Sequence, residues 1–273
     1  MAKLYIVSTP IGNLNDMTFR AVETLKLSDF IIAEDTRVTQ NLLNHYGIET
    51  RLISYHKFNE KERRDSIIDM LKTGKTISLV TDAGTPLVSD PGYVITKACI
   101  ENGIEVEAIP GPSSVLSALL LSGFDPAKFY FYGFLSRKGG ERKKEILRFA
   151  KAGCPVVLFE APLRVKGTLA EIRNEIGDVP VAVVKELTKV HERVIRGTIG
   201  EVMPQLTEDI VKGEFVIVLD ARGAVEQAAV AAESAGDMIE RLMKEGKSKS
   251  DAVKIAAKEL NLKKSDLYKI AHK

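Results

Sequence analysis

The chain has 273 residues, of which 45% are hydrophobic and 28% are charged, and its formal net charge is +2. This length predicts two medium domains and a small appendage, and the composition is typical of a soluble globular protein. No apolar run is long enough for a membrane span, and the N-terminal residues lack the long apolar region of a signal peptide. Cys99 and Cys154 fit no CxxC or metal-ligand spacing, which predicts buried thiols, a reducing cytoplasm and no metal site.

The first half of the chain predicts strands that alternate with helices. Strands are expected at Lys3–Ser8, Phe30–Ala33, Leu52–Ser54, Thr76–Val80 and Glu105–Ile109. Helices are expected at Thr18–Leu27 (with Asp16 as its cap), Thr39–Tyr46, Lys61–Lys72, Val94–Asn102 and Pro112–Leu121. This repetition is typical of an α/β fold in which helices cover both faces of a mostly parallel sheet.

The segment Gly123–Pro126 breaks the pattern and predicts a boundary between domains at 1–122 and 123–224. The second domain is expected to contain strands Phe129–Phe134, Val156–Phe159, Val181–Glu186, Arg193–Thr198 and Phe215–Leu219, and helices at Leu163–Ile176 and from Gly200–Leu206. The Ala-rich segment Val225–Ala235 is predicted to be a linker or helical spacer. Residues 236–273 predict a small helix-turn-helix module with helices Asp237–Glu245, Lys249–Leu260 and Lys264–Ala271.

The loop that follows the fourth predicted strand has the strongest functional pattern. Residues 81–92 contain two Gly, two Pro and two Asp. Glycine permits close approach of a ligand to the backbone, proline stiffens the loop, and the carboxylates suit a positively charged ligand. An ordinary turn-rich connection is the less favoured interpretation. The later loop Pro110–Ser114 leads into a helix with Ser113 as its N-cap, and a polar-ligand site and a plain turn are equally favoured there.

Three more loops follow strands, where ligands bind in open α/β sheets. Thr9–Asn13 is neither a Walker motif nor GxGxxG, which disfavours an NTPase and a nicotinamide enzyme. Glu34–Arg37 offers two acids that suit a base or a ribose hydroxyl, and an arginine that suits phosphate, although the start of a helix is the alternative. Lys185–Glu192 offers possible proton carriers, but an exposed polar loop is the favoured interpretation for His191.

Two basic stretches bear on nucleic-acid binding. Arg137–Lys144 carries five positive charges and one negative charge around a Gly-Gly hinge, and the tail from Lys244 to Lys273 is rich in lysine. Charge runs are usually solvated faces. Two such runs, one of them beside strand-end loops, favour contact with a phosphate backbone.

In their order and spacing, these motifs resemble the ribosomal RNA small subunit methyltransferase I family, a branch of the tetrapyrrole methylases. The resemblance covers nearly all of the chain, including the lysine-rich tail. The matching motifs are Ser8–Leu14, Glu34–Arg37, Thr81–Pro86, Ser89–Gly92, Pro110–Ser114, Phe159–Arg164 and Lys185–Lys189.

The resemblance implies a fold of two α/β domains, with S-adenosylmethionine bound in the cleft between them, and a C-terminal helix-turn-helix module. It implies a homodimer that methylates the ribose 2′-oxygen of a cytidine in 16S ribosomal RNA. The substrate would be an assembled or nearly assembled small ribosomal subunit. No membrane or metal partner is expected.

The same resemblance, with the chemistry of the residues, gives three sets of candidate site residues. The cofactor set is Asp82, Ala83, Gly84, Thr85, Pro86, Val88, Ser89, Asp90, Pro91, Gly92, Ser113 and Ser114. The catalytic set is Glu34, Asp35, Lys185 and Glu186, while Asp82 is a base candidate that also suits the cofactor. The RNA-binding set is Pro10, Gly12, Asn13, Arg37, Arg137, Lys138, Arg142, Lys143 and Arg164.

Two rival interpretations stay open. A methyltransferase with a small tetrapyrrole-like acceptor would share the fold but would need neither basic stretch. A non-enzymatic ribosome assembly factor would bind through the tail helices, but it would not need the Gly- and Pro-rich loops of a deep polar cleft.

Overall fold

The computed structural model describes residues 2–207, 212–222, 235–260 and 264–270. The chain divides into two compact units. The first comprises Met1–Gly123, Val183–Val194 and Gly213–Val216, and the second comprises Phe124–Ala182, Ile195–Lys212 and Ile217–Lys273. This division follows packing rather than chain order, and the domain bounds predicted from the sequence stay a prediction.

The first unit is built on a five-stranded sheet of order β3-β2-β4-β1-β5, in which all neighbouring strands are parallel. The strands are β1 (Lys3–Val7), β2 (Phe30–Ala33), β3 (Arg51–Ser54), β4 (Thr76–Val80) and β5 (Glu105–Ile109). The intervening helices are α1 (Phe19–Leu27), α2 (Thr36–Tyr46), α3 (Glu60–Lys72), α4 (Tyr93–Glu101) and α5 (Ser114–Ser122). The predicted α/β class with parallel strands is confirmed.

Helices bury apolar side chains against both faces of this sheet. On one face, Leu4 and Leu79 pack with Ile67 of α3 and Ile95 of α4. On the other face, strand residues pack with helix α1 and helix α2, and the members of that cluster include Val7, Ile31, Val80, Ala21, Leu25 and Leu43. Because both faces are covered, polar side chains of these strands are found mainly at the strand ends.

One predicted helix cap is wrong, and α2 begins at Thr36, three residues before its predicted start. Thr18, not Asp16, caps α1, because its side chain accepts a hydrogen bond from the backbone N–H of Ala21 at 3.1 Å. Asp16 instead lies in a short 3₁₀ turn before the helix. The prediction that Ser113 caps the helix after β5 is confirmed, since its hydroxyl accepts from Leu116 N–H.

A second five-stranded sheet has the order β6-β7-β10-β8-β9, and β6 and β7 are parallel. Its strands are β6 (Tyr130–Phe134), β7 (Val156–Glu160), β8 (Pro180–Lys185), β9 (Arg193–Thr198) and β10 (Phe215–Leu219). Its helices are α6 (Gly139–Phe149), α7 (Val165–Ile176) and α8 (Ile199–Val202), the last continued by a 3₁₀ turn over Met203–Gln205.

The prediction of a Gly-Gly hinge within the basic stretch is wrong, because both glycines lie in helix α6. Residues 139–149 are helical, and Arg142, Ile146 and Phe149 form the buried face. Strong helix formers such as Glu, Lys, Arg and Leu follow the two glycines, and the apolar residues recur at helical spacing. The net charge of the stretch obscured this periodicity.

The C-terminal residues form a small helical module with a core of its own. It contains α9 (residues 235–244), α10 (Lys249–Glu259) and α11 (Lys264–Ile270). Its core members include Ile239, Leu242, Val253, Ala256 and Leu267. The predicted linker residues 225–234 and the predicted turn 261–263 lie outside the described residues. Across the described ranges, no helix has both the length and the hydropathy to cross a membrane.

Candidate active site at the carboxyl edge of the first sheet

The polar loops of the first unit gather at the carboxyl ends of its strands. β2 leads through α2 to β3 on one side, whereas β4 leads through α4 to β5 on the other side. These adjacent strands therefore form a topological switch point, where open α/β sheets offer a crevice to ligands. Glu34 follows β2 and Thr81 follows β4, so both lie at this point.

Two carboxyl groups interact with the buried side chain of Thr81, and a third follows it in the chain. Its hydroxyl donates to Glu34 Oε2 at 3.3 Å and also interacts with Asp90. Asp82 Oδ1 accepts a hydrogen bond from the backbone N–H of Asp35 at 3.0 Å, which joins the two strand ends. We call Glu34, Asp82 and Asp90 the carboxylate cluster.

The carboxylate cluster changes the acidity of two of its members. Burial, followed by the negative charge of Asp82, raises the pKa of Glu34. Burial raises the pKa of Asp90 to about 6, with smaller contributions from the charges of Glu34 and Asp82, although the Thr81 hydrogen bond acts in the opposite direction. Carboxyl groups with raised pKa values at a strand-end crevice are typical of a site that handles a proton or a cation.

Asp35, the neighbouring catalytic candidate, has a different environment. It caps α2, and its carboxylate accepts from Arg37 Nε at 3.0 Å and Arg37 Nη2 at 2.6 Å. The hydrogen bonds from Arg37 lower the pKa of Asp35 to about 2. A carboxylate held by a guanidinium is a weak base, so this geometry favours Glu34 over Asp35.

The loop from Thr81 to Gly92 is held in a strained conformation. Leu87 and Ser89 have φ values of 71° and 72°, a region that residues other than glycine rarely adopt. Glu60, at the start of α3, accepts from the Gly92 N–H at 3.0 Å and so fixes the end of the loop. Strain that the surrounding structure maintains is common at ligand-binding loops.

The loops after β1 and β5 join the same edge. Thr9 and Gly84 exchange two backbone hydrogen bonds of 2.9 and 3.1 Å. The Ser8 hydroxyl donates to Thr85 Oγ1 at 3.2 Å, and the Thr85 hydroxyl donates to the Pro112 carbonyl at 3.3 Å. The predicted cofactor loops 81–92 and 110–114 are therefore brought together.

The loop after β8 also packs into the first unit. A Cβ atom added to Gly12 would lie 2.5 Å from Lys189 Cγ and 2.8 Å from the Leu187 carbonyl oxygen. The Lys189 ammonium bonds Glu186 Oε1 and Glu214 Oε2, each at 3.0 Å. Gly12 is thus required for this close approach, and its predicted RNA contact stays a prediction.

The two catalytic candidates at the end of β8 have different surroundings. The Glu186 carboxylate accepts from the Glu214 N–H at 2.9 Å and from Lys189. Burial acts to raise the pKa of Glu186, but these hydrogen bonds outweigh it and lower that pKa. Glu186 therefore resembles a structural anchor more than a base. Lys185 is partly exposed, and His191, which follows in the loop, is exposed.

In the second unit, Arg142 does not fit its predicted role as an RNA contact. Its side chain is buried, and Nη2 donates to Thr168 Oγ1 at 2.5 Å and lies 3.5 Å from Glu160 Oε2. Nε bonds Glu171. A guanidinium enclosed in this way is not accessible to phosphate, because helix α6 turns it toward β7 and α7.

The other basic candidates of this unit remain accessible. Arg137 and Lys138 are exposed, and neither forms an ion pair with another residue of the described ranges. Arg164 is 30% exposed and lies 3.4 Å from Glu160 Oε1, whereas Lys143 pairs with Glu175 at 2.7 Å.

Comparison with known proteins identifies the family. The sequence profile of the Tetrapyrrole (Corrin/Porphyrin) Methylases matches residues 3–203. The chain belongs to the tetrapyrrole methylase family. Within that family it groups with proteins named ribosomal RNA small subunit methyltransferase I. One from Bacillus subtilis (strain 168) is 43% identical, with 100% of this chain and 94% of that protein covered. One from Synechocystis sp. is 41% identical, with 99% and 98% covered.

Solved structures support the tetrapyrrole methylase fold. A diphthine synthase has a TM-score of 0.64 at 14% identity and covers 80% of this chain and 89% of its own. A cobalt precorrin-4 methyltransferase of cobalamin biosynthesis has a TM-score of 0.57 at 19% identity and covers 80% and 94%. At these identities the likeness concerns the fold alone, so the predicted fold class is confirmed.

Sequence reasoning missed two residues that organise this tetrapyrrole methylase site. Thr81 was predicted only as part of a loop, although its hydroxyl interacts with two members of the carboxylate cluster, Glu34 and Asp90. Glu60 was assigned to no site, and it reaches Gly92 across 32 positions of sequence. A polar residue directly after a buried strand was a usable signal for Thr81. No local pattern marks Glu60.

We expect Asp90→Asn to stabilise this tetrapyrrole methylase at neutral pH. Because the folded-state pKa is about 6 and the unfolded value is near 3.8, ionisation of Asp90 lowers the free energy of unfolding as pH rises through that interval. Asparagine removes this cost, so the variant should gain about 1–2 kcal/mol at pH 7, after allowance for solvent screening, and little at pH 3.5. Urea titrations at both pH values measure this, and an equal gain at both would contradict it.

We expect Gly92→Ala to destabilise the first unit by about 2–4 kcal/mol. Gly92 has a φ of 129°, and an added Cβ atom would lie 2.6 Å from Leu79 and 2.8 Å from Leu87. Gly74→Ala is the matched control, since Gly74 has a φ of 93° but open space around it. Denaturant titration should show a clearly larger loss for Gly92. Equal losses would mean that the backbone conformation, not the contact, determines the effect.

Proposed function

We propose that this protein is an S-adenosylmethionine-dependent methyltransferase that modifies the ribose 2′-oxygen of a cytidine in 16S ribosomal RNA. Its substrate is the small ribosomal subunit, and it acts in the cytoplasm as a homodimer. The observation that carries this proposal is the 43% identity, over the whole chain, to a ribosomal RNA small subunit methyltransferase I. The acceptor nucleotide, the ribose position and the dimer go beyond that name.

The residues of the first unit fit a positively charged cofactor. When bound, S-adenosylmethionine supplies an electrophilic methyl group on a sulfonium cation. The carboxylate cluster provides compensating negative charge, and the loops at 81–92 and 110–114 provide backbone groups beside it. In the described ranges no group of three or more His, Cys, Asp or Glu is arranged to hold a metal ion.

Glu34 is the proposed base. A ribose hydroxyl is a weak nucleophile, so a nearby proton acceptor favours its attack on a methyl group. Glu34 is partly buried, and its pKa is raised although the nearby charge of His56 acts to lower it. In the described residues Glu34 forms no ion pair with a lysine or an arginine, whereas Asp35 is paired with Arg37. We propose that Asp35 and Arg37 act together at the RNA side, with Pro10, Gly12 and Asn13 on the neighbouring loop.

Cofactor binding tests the proposed site directly. Asp82→Ala removes a cluster charge and the acceptor for Asp35 N–H, so we expect the dissociation constant for S-adenosylmethionine to rise about 10- to 100-fold. Calorimetric titration of the folded variant measures this constant. Unchanged binding in Asp82→Ala and in Gly84→Val would move the cofactor away from this loop.

A small tetrapyrrole remains the rival acceptor, because the fold neighbours include a cobalt precorrin-4 methyltransferase. The exposed cations Arg137 and Lys138 favour RNA over a macrocycle. A non-enzymatic assembly factor is disfavoured by the carboxylate cluster and the strained loop, since binding an RNA surface requires neither.

The deciding experiment is methyl transfer from labelled S-adenosylmethionine to small subunits purified from cells that lack this protein. We expect label in a 2′-O-methylated cytidine after digestion of the RNA to nucleosides. Label in a methylated base would correct the acceptor atom. Cofactor binding without label in RNA would favour a small-molecule acceptor, and the absence of both would favour the assembly factor.

A further inference from the structure

The second unit presents an exposed aromatic surface at the carboxyl ends of β6 and β7. Phe134 is 56% exposed although it lies within a strand. Its ring centroid is 5.5 Å from that of Phe159, which in turn is 5.1 Å from that of Phe131. We call Phe131, Phe134 and Phe159 the aromatic face. Phe131 and Phe159 are partly buried, so Phe134 is the exposed end of this aromatic group. Exposed apolar side chains that adjoin one another mark a binding site more often than a scattered apolar residue does.

A β-bulge creates this face. Phe131 pairs with Val157 and Phe134 pairs with Phe159, but the register shifts between them. In a regular strand, residues 131 and 134 would point to opposite faces of the sheet. The extra residue reverses the alternation, so both phenylalanines lie on the Phe159 side. Bulges that redirect a side chain in this way are common next to functional sites.

The opposite side of β6 is occupied by the protein's own packing. Tyr132 contacts Phe149 of α6, with ring centroids 5.3 Å apart. The helix therefore covers the tyrosine side of the strand and leaves Phe134 exposed.

Basic residues follow the C-terminal ends of both strands that carry the aromatic face. Arg137 and Lys138 come three and four residues after Phe134, and Arg164 comes five residues after Phe159. Because β6 and β7 are parallel, these residues leave the sheet at the same edge. Glu160 holds Arg164 at 3.4 Å and accepts from Thr168 at 2.5 Å, which limits the orientations open to the guanidinium.

We propose that the aromatic face stacks an unpaired nucleobase of the RNA substrate while Arg137, Lys138 and Arg164 contact the adjoining phosphates. Aromatic rings stack on bases that a duplex does not enclose, and flanking cations follow the backbone. A purely apolar protein partner would have no use for the cations that follow both strands. This inference rests on the proposed function, because it names the part of the RNA that is recognised.

The test compares Phe134 variants of the full-length protein by fluorescence anisotropy. The probes are a labelled single-stranded oligocytidylate and an RNA duplex of equal length. Phe134→Ala and Phe134→Leu should weaken single-strand binding about 5- to 100-fold, whereas Phe134→Tyr should retain it and duplex binding should change little. Ile100→Ala is the control, since Ile100 is 66% exposed, next to the C-terminal residue of α4 in the first unit.

Three results would overturn the inference. Wild-type binding by Phe134→Leu would indicate apolar packing without stacking. Equal losses for single strand and duplex would indicate no preference for unpaired bases. A change of mass in sedimentation for Phe134→Ala would indicate that a second copy of the chain covers the face.

Methyl transfer to small subunits, measured on the same proteins, separates this inference from the proposed function. If the wild type transfers label and Phe134→Ala has an unchanged KM for subunits, the aromatic face has no role and the proposed function stands. If the wild type transfers no label to RNA but binds single strands through Phe134, the proposed function fails and the stacking site stands.

Discussion

Glu34→Gln should lower the rate constant for methyl transfer about 10²- to 10⁴-fold, while S-adenosylmethionine still binds. Glutamine keeps the size of the side chain and an oxygen that can accept from Thr81, but it cannot take up a proton. The remaining charges of Asp82 and Asp90 should maintain most of the attraction for a cationic cofactor. Single-turnover transfer at saturating cofactor measures the rate constant.

The pH dependence should identify the same residue. Because burial and the charge of Asp82 raise the pKa of Glu34, the wild-type rate should rise with pH through a value above the usual range of a glutamate. This rise should be absent in Glu34→Gln. Asp35→Asn is the matched control, because asparagine is as good a helix cap as aspartate. A large loss in Asp35→Asn with normal transfer by Glu34→Gln would assign the base to Asp35.

Glu160→Ala should lower the free energy of unfolding by about 3 kcal/mol. Arg142 is buried at 7% exposure, and Glu160 provides a carboxylate that is itself buried. Removal of one member of a buried pair leaves an uncompensated charge, which typically costs about 3–5 kcal/mol. Glu171 continues to neutralise part of the Arg142 charge, so we expect the lower end of this range.

Glu171→Ala provides the control for this prediction. It removes the other carboxylate from the same guanidinium, but its side chain is 53% exposed, so the loss should be at most about 1 kcal/mol. Denaturant titration followed by circular dichroism compares the two variants. The double variant Arg142→Met with Glu160→Leu should recover most of the stability, because apolar side chains of similar volume replace both charges. Equal losses for both single variants would contradict the prediction.

The strands and helices of the first unit could be predicted from its sequence, because each kind of element has its own residue pattern. Short apolar runs gave the strands, and glycine residues such as Gly47 ended helices at predictable places. The cluster around Thr81 also followed in outline, since β2 and β4 were both predicted to end in polar loops. Their adjacency was not predicted, because strand order depends on packing between distant segments.

Two features of the second unit could not be predicted from local sequence patterns: the burial of Arg142 and the exposure of Phe134. The charges of residues 137–144 favoured contact with a phosphate backbone, yet Arg142 is buried against Glu160 and Thr168, which lie 18 and 26 residues away along the chain. The exposure of Phe134 could not be predicted either. A β-bulge shifts the alternation of side chains between the two faces of the sheet by one residue, and the composition of the strand does not reveal it. Both features depend on contacts with β7 and α7.

The first unit is discontinuous, and this has a consequence for biosynthesis. Its last segment, Gly213–Val216, emerges from the ribosome long after Gly123, with most of the second unit made in between. At about 5–20 residues per second, this interval lasts about 5–20 seconds. Gly12 lacks its contact with Lys189 until residue 189 has been made, and Lys189 lacks Glu214 until residue 214 has been made. The N-terminal part of the nascent chain therefore stays incompletely packed until its final segment has been made. A chain interrupted at residue 123 would never acquire that segment.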